Sequence, residues 1–324
     1  VFKGGGAYPT PRAVSEAIEG VGGVLNAATD REATVFWTRV PAEHLPLALG
    51  VLSDMLLRPV LDPDEVARER QVVIEELRMY QDNPQDQVQT LFDEVMFPGH
   101  PLGRDVAGTE ETVRSFTAEQ CREHLEHHLR PDTLTVSVAG GYDSEALREQ
   151  VQAALGDWVD GQPNGGGTPA PAVPPLGRAL RLTRRTVEQA NVLIGGRGPS
   201  YLDEDRYVAD VLNVVLGEGM SSRLFLELRE RQGMVYDVHS FVSRLSDTGV
   251  LGIGFGAEPR RAARAAAAAV AELHRLADVA VPDAELHKAR EYAKGRLLLQ
   301  LESTSALCEY AGQQQLLTGT ILTP

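Results

Sequence analysis

A run of glycine and proline near the middle of the chain constrains its fold more than any other feature. Residues 162–177 read QPNGGGTPAPAVPPLG. Glycine increases the conformational entropy of the unfolded chain, and proline lacks an amide hydrogen. A segment with so many glycines and prolines can form neither a helix nor a central strand. The run therefore predicts a linker over residues 162–178, between an N-terminal domain of residues 1–161 and a C-terminal domain of residues 179–324.

Each predicted domain combines strands with helices. Alternating apolar residues predict strands over residues 33–40 and 133–140 in the first half. In the second half the strand-like segments are ANVLIGG, VYDVHSFVS and GVLGIGFGA, and VADVLNVVLG has helical periodicity. The sequence thus predicts an α+β fold of two similar halves, each an antiparallel sheet packed with helices.

The segment ERQVVIEELRMY carries two glutamates beside an apolar stripe. Asp62 and Pro63 predict a helix that begins at Pro63 and continues to about Gln81. At about 100° per residue, Glu69 and Glu76 are predicted on its inward side, next to Val66, Val73, Leu77 and Tyr80. Burying a carboxylate is costly unless a metal or a basic partner compensates it. The alternative is that both acids lie on the shoulder of the stripe, near water, and pair with Arg or Lys.

The two halves also match each other. A shift of 220 positions aligns DEVARERQVVIEEL with AELHKAREYAKGRL, which favours an internal duplication of one structural helix. At the two inward acids the copies differ, because Glu69 aligns with Ala289 and Glu76 aligns with Arg296. The acids are therefore not needed to form the helix, which favours a local function for them.

Composition argues against two classes of partner. The 324 residues are 43% hydrophobic and 24% charged, typical of a globular chain, and no apolar run reaches the about 18 residues of a membrane span. The net charge is −15 and no block is rich in Lys or Arg, which argues against nucleic-acid binding. Cys121 and Cys308 are the only cysteines, which favours a reducing compartment and predicts the cytoplasm.

Several short motifs occur in a characteristic order along the chain. They are VFKG, GGVLNAATDREATVF, ERQVVIEE, HPLGRDVAGTEETV, LGEGMSSRLFLELRERQGMVYDV and LLLQLEST. Together they resemble the pitrilysin/insulinase family of zinc metallopeptidases, and most closely its bacterial members that are similar to the mitochondrial processing peptidase. The resemblance covers essentially the whole chain. It implies a zinc-dependent endopeptidase that hydrolyses unfolded peptides in a chamber between its two halves.

The resemblance also implies a metal site. In that family an inverted HxxEH motif supplies two histidine ligands and a glutamate base, and a downstream glutamate completes the zinc site. Glu76 would be that third ligand, and Glu69 an acid that orients it. The chain has no HxxEH, and the family pattern places the motif just before Val1. We therefore expect a chain truncated at both ends, one zinc per complete chain, and neither zinc binding nor activity from residues 1–324 alone.

A second interpretation stays open. The core subunits of the respiratory cytochrome complex resemble this family yet hydrolyse little, so the chain could be a non-catalytic subunit for assembly or peptide binding. An HxxEH motif upstream of Val1 would support the enzyme, and its absence the subunit. Small members of the family work as pairs of chains, and this chain carries both Glu76 and the pair Arg229 and Tyr236. The resemblance therefore implies a homodimer.

Two further sets of residues are identified by the resemblance. Asn26 and Ala27 resemble the edge strand with which the family binds an extended peptide, and the alternative is a plain strand end. Arg229 and Tyr236 match a pair that holds substrate near the scissile carbonyl, where both side chains can donate to a developing oxyanion. The alternative for this pair is a surface arginine and a core tyrosine.

One sequence looks like a metal motif but predicts none. In HLEHH, His124 and His128 share a helical face, whereas Glu126 lies about 160° away from it. Thr117 and Gln120 predict a capping box, so we predict an ordinary helix. The glycine turns GEGMSS and GGRGPS lack the lysine of a phosphate loop, which argues against nucleotide binding.

Overall fold

A computed structural model describes residues 4–156, 158 and 171–323. Its contacts divide these residues into two compact units that interleave along the chain. Unit 1 comprises residues 4–78, 106–156 and 303–316, and unit 2 comprises residues 79–105, 171–302 and 317–323. Both units combine helices with a small antiparallel sheet, which confirms the predicted α+β fold class.

Helices dominate the described chain, and short strands occur in pairs or triplets between them. The strands are β1 (Val24–Thr29), β2 (Thr34–Arg39), β3 (Ala190–Gly198), β4 (Val235–Arg244) and β5 (Gly249–Ala257). The helices of the first half are α1 (Pro11–Glu19), α2 (Leu45–Leu57), α3 (Pro63–Asp82), α4 (Pro84–Met96), α5 (Glu110–Ser115), α6 (Ala118–His128) and α7 (Ser144–Leu155). Those of the second half are α8 (Arg206–Leu216), a π-helix (Phe225–Arg231), α9 (Ala262–Asp278), α10 (Asp283–Gln300) and α11 (Thr304–Thr318).

The core of unit 1 forms where α1 and α2 pack beside the antiparallel pair β1 and β2. Its buried side chains are Val14, Ile18, Val51 and Met55. Asp54 of α2 holds the start of the described chain, because its carboxylate accepts hydrogen bonds from the amides of Ala7 (2.8 Å) and Tyr8 (3.1 Å). Gly5 permits this approach, since a β-carbon there would lie 2.4 Å from the Asp54 carboxylate.

The predicted strand over residues 133–140 is wrong. Residues 134–139 have no regular secondary structure, and within the described part of unit 1 this segment is hydrogen-bonded to a helix and not to a strand. The Ser137 hydroxyl donates to the carbonyl of Cys308 in α11 (2.8 Å), and the Cys308 thiol donates to the carbonyl of Ser137 (3.1 Å). A strand needs a ladder of backbone bonds to another strand, and alternating apolar residues predict only the exposed and buried faces of an extended segment.

Unit 2 is built on a three-stranded antiparallel sheet in the order β3, β5, β4. The central strand β5 is almost entirely buried, and α9 and the π-helix contribute to the core beside it. A second cluster of buried residues involves α4, whose Phe92 meets Phe241 of β4 edge to face at 5.9 Å. The three strands predicted in the second half are thereby confirmed.

The predicted linker lies partly outside the described residues, which resume at residue 171. From there the chain is fastened to unit 2. His100 bonds the carbonyl of Pro171 (2.8 Å), Arg197 donates to the carbonyl of Pro174 (3.0 Å), and Val173 and Leu176 pack against the cluster around Phe92. The packed part of unit 2 therefore begins before the predicted end of the linker.

Two helices belong to the compact unit that their position in the chain does not suggest. α4 is in unit 2 although it precedes the linker, and residues 303–316, most of α11, are in unit 1 although they follow it. The predicted domains 1–161 and 179–324 stay a prediction, and they differ from the two units at these helices. No helix in the described part of the chain is long and apolar enough to cross a bilayer.

Candidate functional site

The predicted metal ligand lies on α3, whose start is capped as predicted. The Asp62 carboxylate accepts hydrogen bonds from the amides of Asp64 (2.9 Å) and Glu65 (3.1 Å). The buried face of α3 is centred on Ile74 and Leu77, which pack with Val113 of α5. The helix is thus held on one face by a small apolar cluster within unit 1.

The two predicted acids do not both face inward. Glu69 is half-buried, Glu76 is exposed, and the side chain of Tyr80 is 45% exposed, so the predicted inward orientation is wrong for Glu76 and Tyr80. Apolar neighbours cover α3 only around Ile74 and Leu77. The predicted inward arc is wider than this covered part, and Glu76 and Tyr80 lie outside it. In position, Glu76 therefore matches the alternative of an acid on the shoulder of the stripe.

The described residues do not by themselves form a zinc site. Among residues 4–156, 158 and 171–323, no three side chains of His, Cys, Asp and Glu are grouped so that they could hold a metal ion. Zinc sites in proteins use at least three such ligands. Within this part of the chain the Glu76 carboxylate makes no hydrogen bond or ion pair, so it could still serve as one ligand of a larger set.

The HLEHH segment lies on α6, and its capping box is confirmed. Thr117 accepts from the amide of Gln120 (3.2 Å), and the Gln120 side chain accepts from the amide of Thr117 (2.9 Å). The rings of His124 and His128 lie 4.4 Å apart, centroid to centroid, on their shared face. Burial, followed by the neighbouring histidines, lowers the pKa of His128, which favours its neutral form.

Asn26 and Ala27 lie in the middle of β1. They pair with Trp37 and Phe36 of β2, and within the described residues β1 has a partner strand on this side only. The Ala27 amide donates a hydrogen bond to the side-chain oxygen of Asn26 (2.8 Å). An added peptide strand that used this amide would have to replace that bond.

The structure brings Arg229 and Tyr236 together. Arg229 lies in the π-helix, a wider turn that often occurs at functional sites. Its guanidinium carbon lies 4.7 Å from the ring centre of Phe225 and 5.0 Å from that of Tyr236. Tyr236 is 76% exposed, so the alternative of a core tyrosine is wrong. Two aromatic faces thus hold the cation beside an accessible phenol.

A large cavity in unit 1 does not coincide with any predicted site residue. It measures about 840 Å³ and lies between α2, α7 and the start of the described chain, with Asp54 and Arg58 in its wall. Burial of Asp54 raises its pKa, but the hydrogen bonds from Ala7, Tyr8 and Arg58 outweigh it, so the pKa lies below its ordinary value. This carboxylate is engaged in holding backbone, which is a structural role.

Sequence reasoning missed an ion pair next to the Arg229 helix. The Arg223 guanidinium donates to both carboxylate oxygens of Glu285 in α10 (2.9 and 2.6 Å). In the sequence, the 220-position shift aligns Glu285 with Glu65, but this alignment does not indicate that Arg223 is the partner of Glu285.

The sequence matches one peptidase family along most of its length. Residues 1–110 match the insulinase family (peptidase family M16), and residues 115–292 match the peptidase M16 inactive domain. The chain belongs to peptidase family M16. The predicted pitrilysin/insulinase relationship is thereby confirmed.

Curated M16 relatives have names that include zinc protease. The chain is 37% identical to an uncharacterized zinc protease of Streptomyces coelicolor, over 94% of this chain and 68% of that protein. It is 34% identical to the uncharacterized zinc protease YmxG of Bacillus subtilis, over 98% of this chain and 77% of that protein. Zinc and proteolysis are thus associated with the names of these relatives.

Three solved structures have a similar fold. A protease from Helicobacter pylori superposes with a TM-score of 0.85 at 22% identity, over 97% of this chain and 77% of that chain. A peptidase M16 inactive domain from Pseudomonas fluorescens gives 0.76 at 18% identity, over 98% and 76% of the two chains. A chain of complex III2 from Candida albicans gives 0.76 at 19% identity, over 96% and 77%. These likenesses confirm the predicted fold of two similar halves.

Proposed function

We propose that this M16 chain acts in a zinc-dependent endopeptidase that hydrolyses unfolded peptides. The observation that carries the proposal is the contact between the half-buried Arg229 and the exposed Tyr236, two residues assigned to substrate from sequence. The names of the zinc-protease relatives support the reaction class.

Arg229 and Tyr236 would bind the carbonyl group that is being cleaved. A guanidinium presents several N–H donors in its plane and keeps its charge, and the position of its carbon over the rings of Phe225 and Tyr236 fixes it beside the phenol. The phenol of Tyr236 supplies a further O–H donor. Donors fixed in advance stabilise the negative charge that develops on a carbonyl oxygen under attack.

Glu76 would be one zinc ligand, together with two histidines outside residues 1–324. Its carboxylate fits this role because it is exposed and has no ion pair within the described residues. The half-buried Glu69, seven residues earlier on α3, would orient that carboxylate. When bound, zinc would activate a water molecule and polarise the peptide carbonyl. Complete chains should therefore carry one zinc each.

The peptide would bind as an added strand along β1. The exposed Asn26 and the half-buried Ala27 lie on a strand that has one described partner, β2, which leaves its other edge for β-augmentation. The hydrogen bond from the Ala27 amide to Asn26 satisfies that amide until a peptide carbonyl replaces the side chain. Specificity would then come from side chains rather than from the backbone bonds.

The decisive experiment is metal analysis of the full-length protein and three variants. We expect about one zinc per wild-type chain, lost in Glu76→Gln because an amide is a weak zinc ligand. Glu69→Gln should weaken zinc affinity about 10–100-fold. Glu75→Gln is the matched control, because Glu75 is exposed and pairs with Arg78 at the surface (2.7 Å). Equal zinc in the Glu76 and Glu75 variants would remove Glu76 from the metal site.

The second candidate function is a non-catalytic subunit in assembly or peptide binding. The likeness to a chain of complex III2 supports it, as does the match to an M16 inactive domain. A full-length protein that has no HxxEH motif, and that binds peptide but not zinc, would favour this candidate.

For either candidate we propose a homodimer in the cytoplasm. A strict monomer at micromolar concentration in sedimentation experiments would contradict the dimer.

A further inference from the structure

One face of α10 contacts alternate residues of the loop that leads to the Arg229 helix. The loop consists of residues 217–223, after the end of α8, and its last residue begins the helical turn that continues into the π-helix. Residues 285, 288 and 292 of α10 are spaced i, i+3 and i+7, so they share one helical face. They meet residues 223, 221 and 219 of the loop respectively, so the helix and the loop run in opposite directions.

The strongest of these contacts is the ion pair of Arg223 and Glu285. Both carboxylate oxygens accept from the guanidinium, and the side chains are only 16% and 25% exposed. The hydrogen bond to Arg223 lowers the pKa of Glu285, and the reciprocal bond raises the pKa of Arg223. A paired arrangement of this kind fixes direction as well as distance.

The other two contacts complete the row. The Lys288 ammonium donates to the carbonyl (3.1 Å) and the hydroxyl (3.2 Å) of Ser221. Gly219 has φ of +88°, and a β-carbon at this position would lie 3.3 Å from the hydroxyl oxygen of Tyr292. The positive φ favours glycine at this point, and a side chain there would press on the Tyr292 hydroxyl.

The loop is fixed on its other side as well. Asn213 of α8 donates to Glu218 (3.2 Å) and accepts from the hydroxyl of Ser240 in β4 (2.6 Å). The end of the loop continues directly into the π-helix, because the carbonyl of Ser222 accepts from the amide of Leu226 (3.0 Å). A shift of the loop would therefore be transmitted to the helix that carries Arg229.

We propose that Glu285 and Lys288 are positioning residues, which act through the 217–223 loop to place Arg229 against Tyr236. Neither residue is assigned any contact with substrate, since their side chains end on Arg223 and Ser221. The inference rests on the proposed function for its effect on catalysis. Its structural part, the coupling of α10 to the loop, can be tested without any reaction.

The kinetic test uses Glu285→Gln in the full-length protein, with Glu291→Gln as the matched control. Glu291 lies on the same helix and pairs with the exposed Lys294 (2.8 Å). We expect Glu285→Gln to lower kcat for an unfolded peptide about tenfold, with KM changed less than about twofold, because a displaced Arg229 acts mainly in the transition state. The Glu291 variant should equal the wild type. Equal kcat in both variants would overturn the proposal.

A double-mutant cycle separates positioning from general destabilisation. In an Arg229→Ala background, Glu285→Gln should lower kcat less than about twofold further, because the group that it positions is already gone. A full tenfold loss in that background would show that Glu285 acts elsewhere. If Glu285→Gln fails to fold, Arg223→Lys serves instead, since it keeps the charge and loses the paired geometry.

Hydrogen exchange gives the readout that does not depend on activity. Amides of residues 217–231 should exchange at least about fivefold faster in Glu285→Gln than in the wild type, while those of β5 stay unchanged. If the wild type hydrolyses no peptide, the proposed function fails, and exchange still decides the coupling. Unchanged exchange over residues 217–231 would overturn it.

Discussion

Helices α3 and α10 align in sequence but present their charged residues differently. On α10, Ala289 is fully buried against Val214 and Val215 of α8. At the matching position of α3, Glu69 is only half-buried. Glu285 of α10 also binds Arg223 of the 217–223 loop, whereas the aligned Glu65 of α3 pairs with Arg68 of its own helix.

The difference shows which positions of a duplicated helix are constrained by packing. Close packing of α10 on α8 leaves room for only a small side chain at position 289, and alanine fits there. Where the neighbouring layer is incomplete, as around Glu69, a carboxylate can remain and acquire a function. The same scaffold can thus place charge on two different faces, one proposed for metal and the other for positioning.

The largest effect is expected from placing the α3 acid in α10. Ala289→Glu should lower the free energy of unfolding by about 3–5 kcal/mol, because a buried carboxylate without a partner is strongly destabilising. Arg296→Glu is the control, since this position matches Glu76 and is exposed. Urea unfolding measures both. Similar stability of the two variants would mean that packing does not constrain position 289.

A smaller effect should separate the proposed roles of Tyr236 in β4 and Glu76 in α3. Tyr236→Phe should lower turnover about tenfold with zinc content unchanged, because it removes one donor to the transition state and no metal ligand. Glu76→Gln should instead remove the zinc. Peptide hydrolysis and metal analysis on the same preparations provide the comparison. Turnover of Tyr236→Phe at the wild-type level would exclude the phenol from the reaction.

The smallest expected effect is the pH dependence of the stability that the Arg223–Glu285 ion pair contributes. The pKa of Glu285 is lowered by Arg223, so the ion pair stabilises the fold above the ordinary carboxyl pKa and is lost as pH falls through the lowered value. Glu285→Gln should therefore cost about 1 kcal/mol at pH 7, and the difference from the wild type should shrink towards pH 3. The aligned Glu65→Gln, whose partner Arg68 is exposed, should show no measurable change. A pH-independent difference for Glu285→Gln would contradict the assigned cause.

Local signals in the sequence predicted the elements well. The caps at Asp62 and Thr117 rest on side chains that bond amides two or three residues away, so the local sequence contains all the information needed. The three strands of unit 2 also agree with prediction. Arg229 and Tyr236 lie in contact, and their role toward substrate stays a prediction. That pair was identified by its resemblance to a family and not by spacing.

Features that depend on distant partners were not predictable in this way. The segment around Ser137 has the alternation of a strand, but its partner is a helix 171 positions away. The exposure of Glu76 depends on how far the cluster around Ile74 extends. The Glu285 contact with Arg223 joins residues 62 positions apart, and no periodicity within α10 indicates it.

The placement of α11 in unit 1 has a consequence for biosynthesis. Cys308 and Ser137 bond each other, yet Cys308 is translated long after the rest of unit 1. At about 5–20 residues per second the delay is roughly 10–30 s. During that time the 134–139 segment lacks its helical neighbour, whereas the sheet of unit 2 can already pack with α4, which is translated earlier. The last segment of unit 1 is therefore synthesised after most of unit 2.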